Sequence, residues 1–91
     1  MSKYKIKTKR KIEKQIKFLP ENVKLIFYLL MEEIKELGPV RTNWLNYSKL
    51  DKNKHHCHLK RKYVACWEEK KKDNQITIEV YYVGSREKAP Y

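Results

Sequence analysis

The sequence predicts an α+β domain in the order β-α-α-β-β-β, with two N-terminal helices packed on one face of a small antiparallel sheet. Three observations carry that expectation. An alternating segment stands at the N-terminus, two segments of helical period follow it up to a Gly-Pro break, and three short strand-like segments with polar turns close the chain. With 91 residues, 41% of them hydrophobic and 12% aromatic, the chain can hold one modest core, and residues 1–91 read as a single domain.

The elements follow in order. Tyr4, Ile6 and Thr8 alternate with Lys3, Lys5, Lys7 and Lys9, which predicts a short strand with one basic, solvated face, suited to a sheet edge. Ile12, Ile16 and Leu19 recur at helical spacing, predicting a short amphipathic helix over residues 10–18. Pro20 fits the first turn of a second helix, whose apolar stripe is Val23, Ile26, Phe27, Leu30, Ile34 and Leu37. Gly38 then caps that helix, with Pro39 directly behind it. Leu25, Tyr28, Leu29 and Met31 widen the stripe past half the circumference, so the helix is either sandwiched in the core or presents an apolar patch to a partner. Residues 39–53 read as an extended loop pinned by Trp44, Tyr47 and Leu50. Strands are expected at residues 55–59, 63–68 and 75–83, joined by the basic turn 60–62 and by residues 70–74, with the tail 84–91 leaving the sheet.

Charge narrows the classes of function. Twenty-two Lys and Arg against eleven Asp and Glu give a formal charge of +11. The excess is concentrated: residues 1–20 carry eight basic side chains against Glu13 alone, and residues 41–62 carry seven against Asp51. Two basic blocks around an acidic and apolar middle predict a polarised surface that favours polyanions, the electrostatic footprint of nucleic-acid binding. The longest apolar run, Leu25 to Met31, is far short of the ~20 residues of a membrane span, and no apolar segment follows the basic N-terminus as a secretory signal would. Two cysteines in a lysine-rich chain make no disulfide scaffold, so the expected setting is cytoplasmic and reducing.

The most unusual tetrapeptide is His55-His56-Cys57-His58. On a strand His56 and His58 share one face, while Cys57 lies on the other with Leu59. Such a pair can ligate a metal with help from elsewhere, but a structural zinc site takes four ligands and Cys66 is the sole other soft candidate, so no metal is expected. The same pair suits general acid–base chemistry, because histidine titrates near neutrality and RNA cleavage needs one proton removed and one supplied. The adjacent Lys60-Arg61-Lys62 turn, with Lys54, offers phosphate-binding cations. In the tail, Arg86 can clamp a phosphate and stabilise transition-state charge, Lys88 adds a cation, and Tyr91 can stack on a base or donate a proton. With only two glycines the chain has no phosphate-cradling loop, and no cofactor is expected.

Several segments together resemble a known family. Trp44-Leu45-Asn46-Tyr47-Ser48-Lys49-Leu50, His56-Cys57-His58-Leu59, Tyr63-Val64-Ala65-Cys66-Trp67-Glu68, Ile78-Glu79-Val80-Tyr81-Tyr82-Val83-Gly84 and Glu87-Lys88-Ala89-Pro90-Tyr91 resemble the RelE-like toxins of bacterial toxin–antitoxin systems, in the group labelled cytotoxic translational repressors. The likeness is specific over residues 44–91 and architectural over residues 1–40. It implies a ribosome-dependent mRNA endonuclease held inactive by a cognate antitoxin, on a fold compared with microbial ribonucleases. By position, His56 and His58 fall where RelE has paired lysines, Arg86 falls on an arginine after the last strand, and Tyr91 falls one residue short of a C-terminal tyrosine. Val64 stands where RelE has a phosphate-binding arginine, and Arg86 stands where relatives of this group have a histidine.

The resemblance thus implies catalysis by His56, His58, Arg86 and Tyr91 on RNA held by Lys54, Lys60, Arg61, Lys62 and Lys88. Two other readings stay open: a ParE-like toxin that blocks gyrase without acid–base residues, and a catalytically silent RNA-binding module. The antitoxin is the implied partner of either toxin, and the apolar stripe over 23–37 and the edge strand over 3–8 are its expected docking surfaces.

Overall fold

A computed structural model describes residues 3–91, so the first two residues of the expected domain lie outside it. Strand β1 spans Lys5–Thr8, helix α1 Arg10–Lys17 and helix α2 Glu21–Leu37; β2 (Ser48–Lys49), β3 (Lys54–Lys60), β4 (Tyr63–Lys72) and β5 (Gln75–Ser85) follow, and a single 3-10 turn covers Arg86–Lys88. The five strands form one sheet in the order β1-β5-β4-β3-β2. β3, β4 and β5 are the expected antiparallel meander, while β1 joins the edge of β5 in parallel.

The core lies between the helices and one face of this sheet. Ile12, Ile16 and Leu19 from the first helical segment and Val23, Phe27, Leu30, Met31 and Ile34 from α2 meet Cys57, Leu59, Ala65, Trp67, Ile78, Val80 and Val83 from the strands. The amphipathic stripes thus point into the core as their periods predict, except for Leu37, which the last turn of α2 leaves exposed. Leu25, Tyr28, Leu29 and Leu37 remain at least half exposed, so α2 is not sandwiched: part of it is an apolar patch on the outside. Pro20 sits at the N-cap, one position before the first turn. Gly38 ends α2 at φ 100°, a backbone conformation that L side chains rarely adopt, and its amide bonds Ile34 O at 2.9 Å. The Lys35 carbonyl at the same helix end accepts from the Lys3 and Tyr4 amides, which ties the entry of β1 to α2.

The strands run further than their hydrophobic content suggests. β4 and β5 continue to Lys72 and back from Gln75, closed by Asp73 and Asn74 at positive φ, the two-residue hairpin geometry that matches strand twist. The segment 39–53 is not all loop, because Ser48 and Lys49 pair with His56 and His55 as β2. It is pinned by Trp44 and Tyr47, as expected, and by Arg41 and Asn43, which both bond the Glu33 carboxylate (2.7 and 2.9 Å); Leu50 is only half-buried and takes no part in the core. β1 stops opposite Val80, and further along β5 the Val83 amide donates to Gln15 Oε1 of α1 at 3.1 Å.

Candidate active site

Strand alternation splits the histidine run. His55, Cys57 and Leu59 point toward the helices; Lys54, His56 and His58 point to the helix-free face, beside Val64 and Cys66 of β4. His56 and His58 have ring centroids 6.0 Å apart. Ser48 of β2 holds His56 through its hydroxyl, 3.0 Å from Nδ1. The tail does not simply leave the sheet. After the turn at Arg86–Lys88 the chain folds back and sets the Tyr91 ring over His56, with centroids 4.5 Å apart. The Arg86 amide donates to Lys62 O at 2.8 Å, which ties the tail to the basic hairpin. Four expected site residues, His56, His58, Arg86 and Tyr91, therefore converge at one end of the helix-free face.

The setting is drier than an exposed strand would be. His56 and His58 are only 8% and 9% exposed, whereas Tyr91 is 54% exposed. Burial pushes the His56 pKa below its ordinary value, partly offset by its hydrogen bond with the Ser48 backbone. Burial also lowers His58, and the neighbouring charges of His56 and Arg86 lower it further. Burial raises Tyr91, so its phenol holds its proton through the neutral range. At neutral pH this cluster therefore offers neutral imidazoles, a neutral phenol and one fixed guanidinium. It has a base and a charge stabiliser available, and its proton donor is Tyr91 or the minor fraction of histidine that stays protonated at neutral pH.

The expected phosphate-binding cations are less concentrated. Lys62 lines a cleft with Tyr63, Ser85 and Arg86, next to the cluster. Lys60 and Arg61 turn toward Pro20 and Asn22 at the start of α2, and Lys88 lines a separate hollow with Gln15 and Phe18. Lys54 lies further along the open face, its ammonium 5.6 Å from the Tyr81 ring centre. Tyr81 itself is a site residue that sequence reasoning misses. A bulge lets Cys66 pair with Tyr82 while Trp67 pairs with Val80, so Tyr81 is an extra residue, and it turns to the open face against Cys66 and Lys54. The Tyr-Tyr-Val run gives no sign of it, because a bulge breaks the period of two. Gly84 suits this end of β5: a Cβ there would meet the Tyr82 hydroxyl at 2.9 Å, and that hydroxyl donates to Ser85 O.

His55 belongs to a different network. It is fully buried, with Nδ1 2.6 Å from the Tyr47 hydroxyl and Nε2 2.7 Å from Glu69, and it stacks on Trp67 at 5.8 Å. Among the described residues no group of three or more His, Cys, Asp or Glu side chains is placed to hold a metal ion, and no helix is long and apolar enough to cross a membrane.

No family model matches the chain, and no curated protein matches it in sequence. Solved structures do. One chain of the archaeal RelE–RelB complex from Pyrococcus horikoshii OT3 is similar at a TM-score of 0.71 and 16% identity, over 96% of this chain and 99% of that one. The conserved hypothetical protein HP0892 from Helicobacter pylori is similar at 0.57 and 22% identity, over 92% and 96%. A copper-bound mutant toxin from Helicobacter pylori is similar at 0.55 and 18% identity, over 96% and 97%. Two helices on one face of a five-stranded sheet, with three C-terminal strands in a meander, are shared over nearly the whole of each chain, and this chain therefore has the RelE-like fold.

Proposed function

We propose that this chain is the toxin of a toxin–antitoxin pair and that it inhibits translation in the cytoplasm by cutting mRNA on the ribosome. The observation that carries this reading is the convergence of His56, His58, Arg86 and Tyr91 at one end of the helix-free sheet face. RNA cleavage by internal attack removes a proton from a 2′-hydroxyl, forms a phosphorane-like dianion and returns a proton to the leaving 5′-oxygen. One histidine of the pair takes the first proton and the other supplies the second. Arg86 sits where charge builds up, and Lys62 lies behind it on the same cleft. Tyr91 lies half exposed against His56, so it is the group that swings aside as a nucleotide enters and then stacks on the base or assists proton transfer.

The partner that silences such an enzyme is an antitoxin protein, and the neighbour solved as a RelE–RelB complex supports that expectation. The exposed Leu25, Leu29 and Tyr28 on α2 and the open edge of β1 are the surfaces it would use. A protein-blocking toxin without acid–base chemistry is favoured by one observation, the near-complete burial of both histidines.

Primer extension on an mRNA in a purified translation system separates the two. Wild type should produce new ends at fixed codon positions. Arg86→Ala should lower that rate by about 10²–10³, the scale of removing one preorganised transition-state donor. Unchanged cutting by that variant removes Arg86 from the mechanism; no cutting by wild type removes the nuclease reading.

A further inference from the structure

We infer that the helix-free face carries a second contact for single-stranded RNA, made by Lys5, Lys7, Lys70 and Lys72 at the end of the sheet away from the histidines. The inference deepens the nuclease reading: it states where the RNA leading away from the cut lies. Sheet register builds the contact. Lys5 of β1 and Lys70 of β4 both pair with Thr77 of β5, one on each side, and Lys7 pairs with Glu79. Lys72 pairs with Gln75, and these seven residues line a single hollow. Adjacent strands lie ~4.8 Å apart, so the flanking lysines stand ~10 Å apart across Thr77, close enough to share one phosphate chain.

Charge at this end is only partly neutralised. Glu79, 6% exposed, accepts Lys70 at 3.2 Å and Lys9 at 3.7 Å, and Glu68 lies 3.8 Å from the Lys70 ammonium, while Lys5, Lys7 and Lys72 pair with no carboxylate among the described residues. Like charges on neighbouring strands of one face oppose sheet formation. Guarding an edge accounts for lysines on β1, but not for their convergence with two more from β4 on one face. An anion across the hollow removes that repulsion.

What lies between the two ends favours a single strand over a duplex. Tyr81, placed on this face by the bulge, offers a ring beside the Lys54 ammonium, so the face presents cations, aromatic rings and cations again along its length. Stacking rings in a basic groove are how unpaired nucleic acid is held without sequence preference. From Val64 to Lys70 is six residues of strand, ~20 Å at ~3.3 Å each. That length corresponds to about six nucleotides at the stacked rise of ~3.4 Å. A shorter RNA bound at the histidine end should not sense the four lysines.

The test uses 2′-O-methyl oligouridine, which cannot be cut, and compares wild type with K5Q/K7Q/K70Q/K72Q by fluorescence anisotropy across a salt series. Circular dichroism first establishes that the variant, altered only at exposed side chains, is folded. With an oligomer of about twelve nucleotides, the variant's plot of log K against log salt should be shallower by about 2–3, at ~0.7 for each phosphate that the lysines no longer neutralise. An oligomer of about four nucleotides should bind both proteins equally. Equal slopes on the longer RNA overturn the inference, and so does an equal weakening on both lengths, which would mean a diffuse field rather than a defined site. Primer extension on wild type tests the parent reading separately: absent cutting with the length-dependent slope intact defeats the nuclease, and normal cutting with unchanged slopes defeats the lysine site.

Discussion

His55 and His56 are neighbours in the chain and opposites in the fold. His55 faces the helices, is fully buried, and has both ring nitrogens engaged, one by Tyr47 and one by Glu69, with Trp67 stacked on its face. His56 faces the other way, is held at one nitrogen by Ser48 and is covered by the last residue of the chain. Both are nearly inaccessible, so burial alone does not tell a structural histidine from a chemical one. The cover does. Over His55 it is a core that cannot leave without unfolding; over His56 it is the half-exposed ring of Tyr91, which lies outside the core.

The largest expected effect tests the open side of that comparison. His56→Ala/His58→Ala should lower mRNA cutting by about 10²–10⁴, the range of lost general acid–base catalysis, while the urea midpoint stays near wild type. Wild-type cutting by this variant would make the pair as structural as His55. The complementary change, His55→Ala, leaves Tyr47 and Glu69 without their shared partner and opens a gap beside Trp67. It should cost about 2–4 kcal/mol of stability, read from urea unfolding. A cost under about 0.5 kcal/mol would mean that the Tyr47–His55–Glu69 network does not hold loop 39–53 to the sheet.

Which parts of this arrangement the sequence discloses follows from what sets each of them. The helices and the core sides of the meander are legible because burial imposes a period, 3.6 or 2, on apolar residues such as Ile12, Phe27, Trp67 and Val80. The outer half of the β4–β5 hairpin is not, because Glu69 to Lys72 is charged on both faces and is a strand only through its backbone pairing with β5. β2 is two residues long and has no pattern of its own. Tyr81 escapes because the bulge displaces it, and the return of Tyr91 onto His56 escapes because a tail's path depends on the surface it meets. The four lysines of the far end come from segments 63 residues apart and meet only through the parallel pairing of β1 with β5.

The cysteines give a smaller and cleaner measure of the two covers. Burial pushes Cys57, on the His55 side, up to about 12, with Cys66 and Glu33 adding to it. Burial does the same for Cys66, on the open side beneath Tyr81, also to about 12. A thiol is nucleophilic only as the thiolate, so neither should react with a disulfide reagent at pH 8 until urea unfolds the chain. Selective reaction of Cys66 in the native protein would show that the open face loses its cover on the timescale of labelling.

The smallest effect is on stability against pH, and its sign follows from the lowered values of His56 and His58. The folded state favours the neutral rings, so as pH falls below the ordinary 6.5 the unfolded chain takes up protons first. Stability should be full above 6.5 and decline as pH falls through the folded values, and His56→Ala/His58→Ala should flatten that decline. Glu33, lowered chiefly by its bond from Asn43, acts in the opposite range, losing its contribution only as pH falls below the ordinary 4.5. Equal slopes for both proteins between pH 7.5 and 5 would mean that the rings are solvated in solution. Cutting carries the same signature in sharper form. A base and an acid both drawn from this pair give a bell whose limbs lie on the acid side of 6.5, whereas a plateau extending to pH 9 would assign the proton donor to Tyr91, whose raised phenol keeps its proton there.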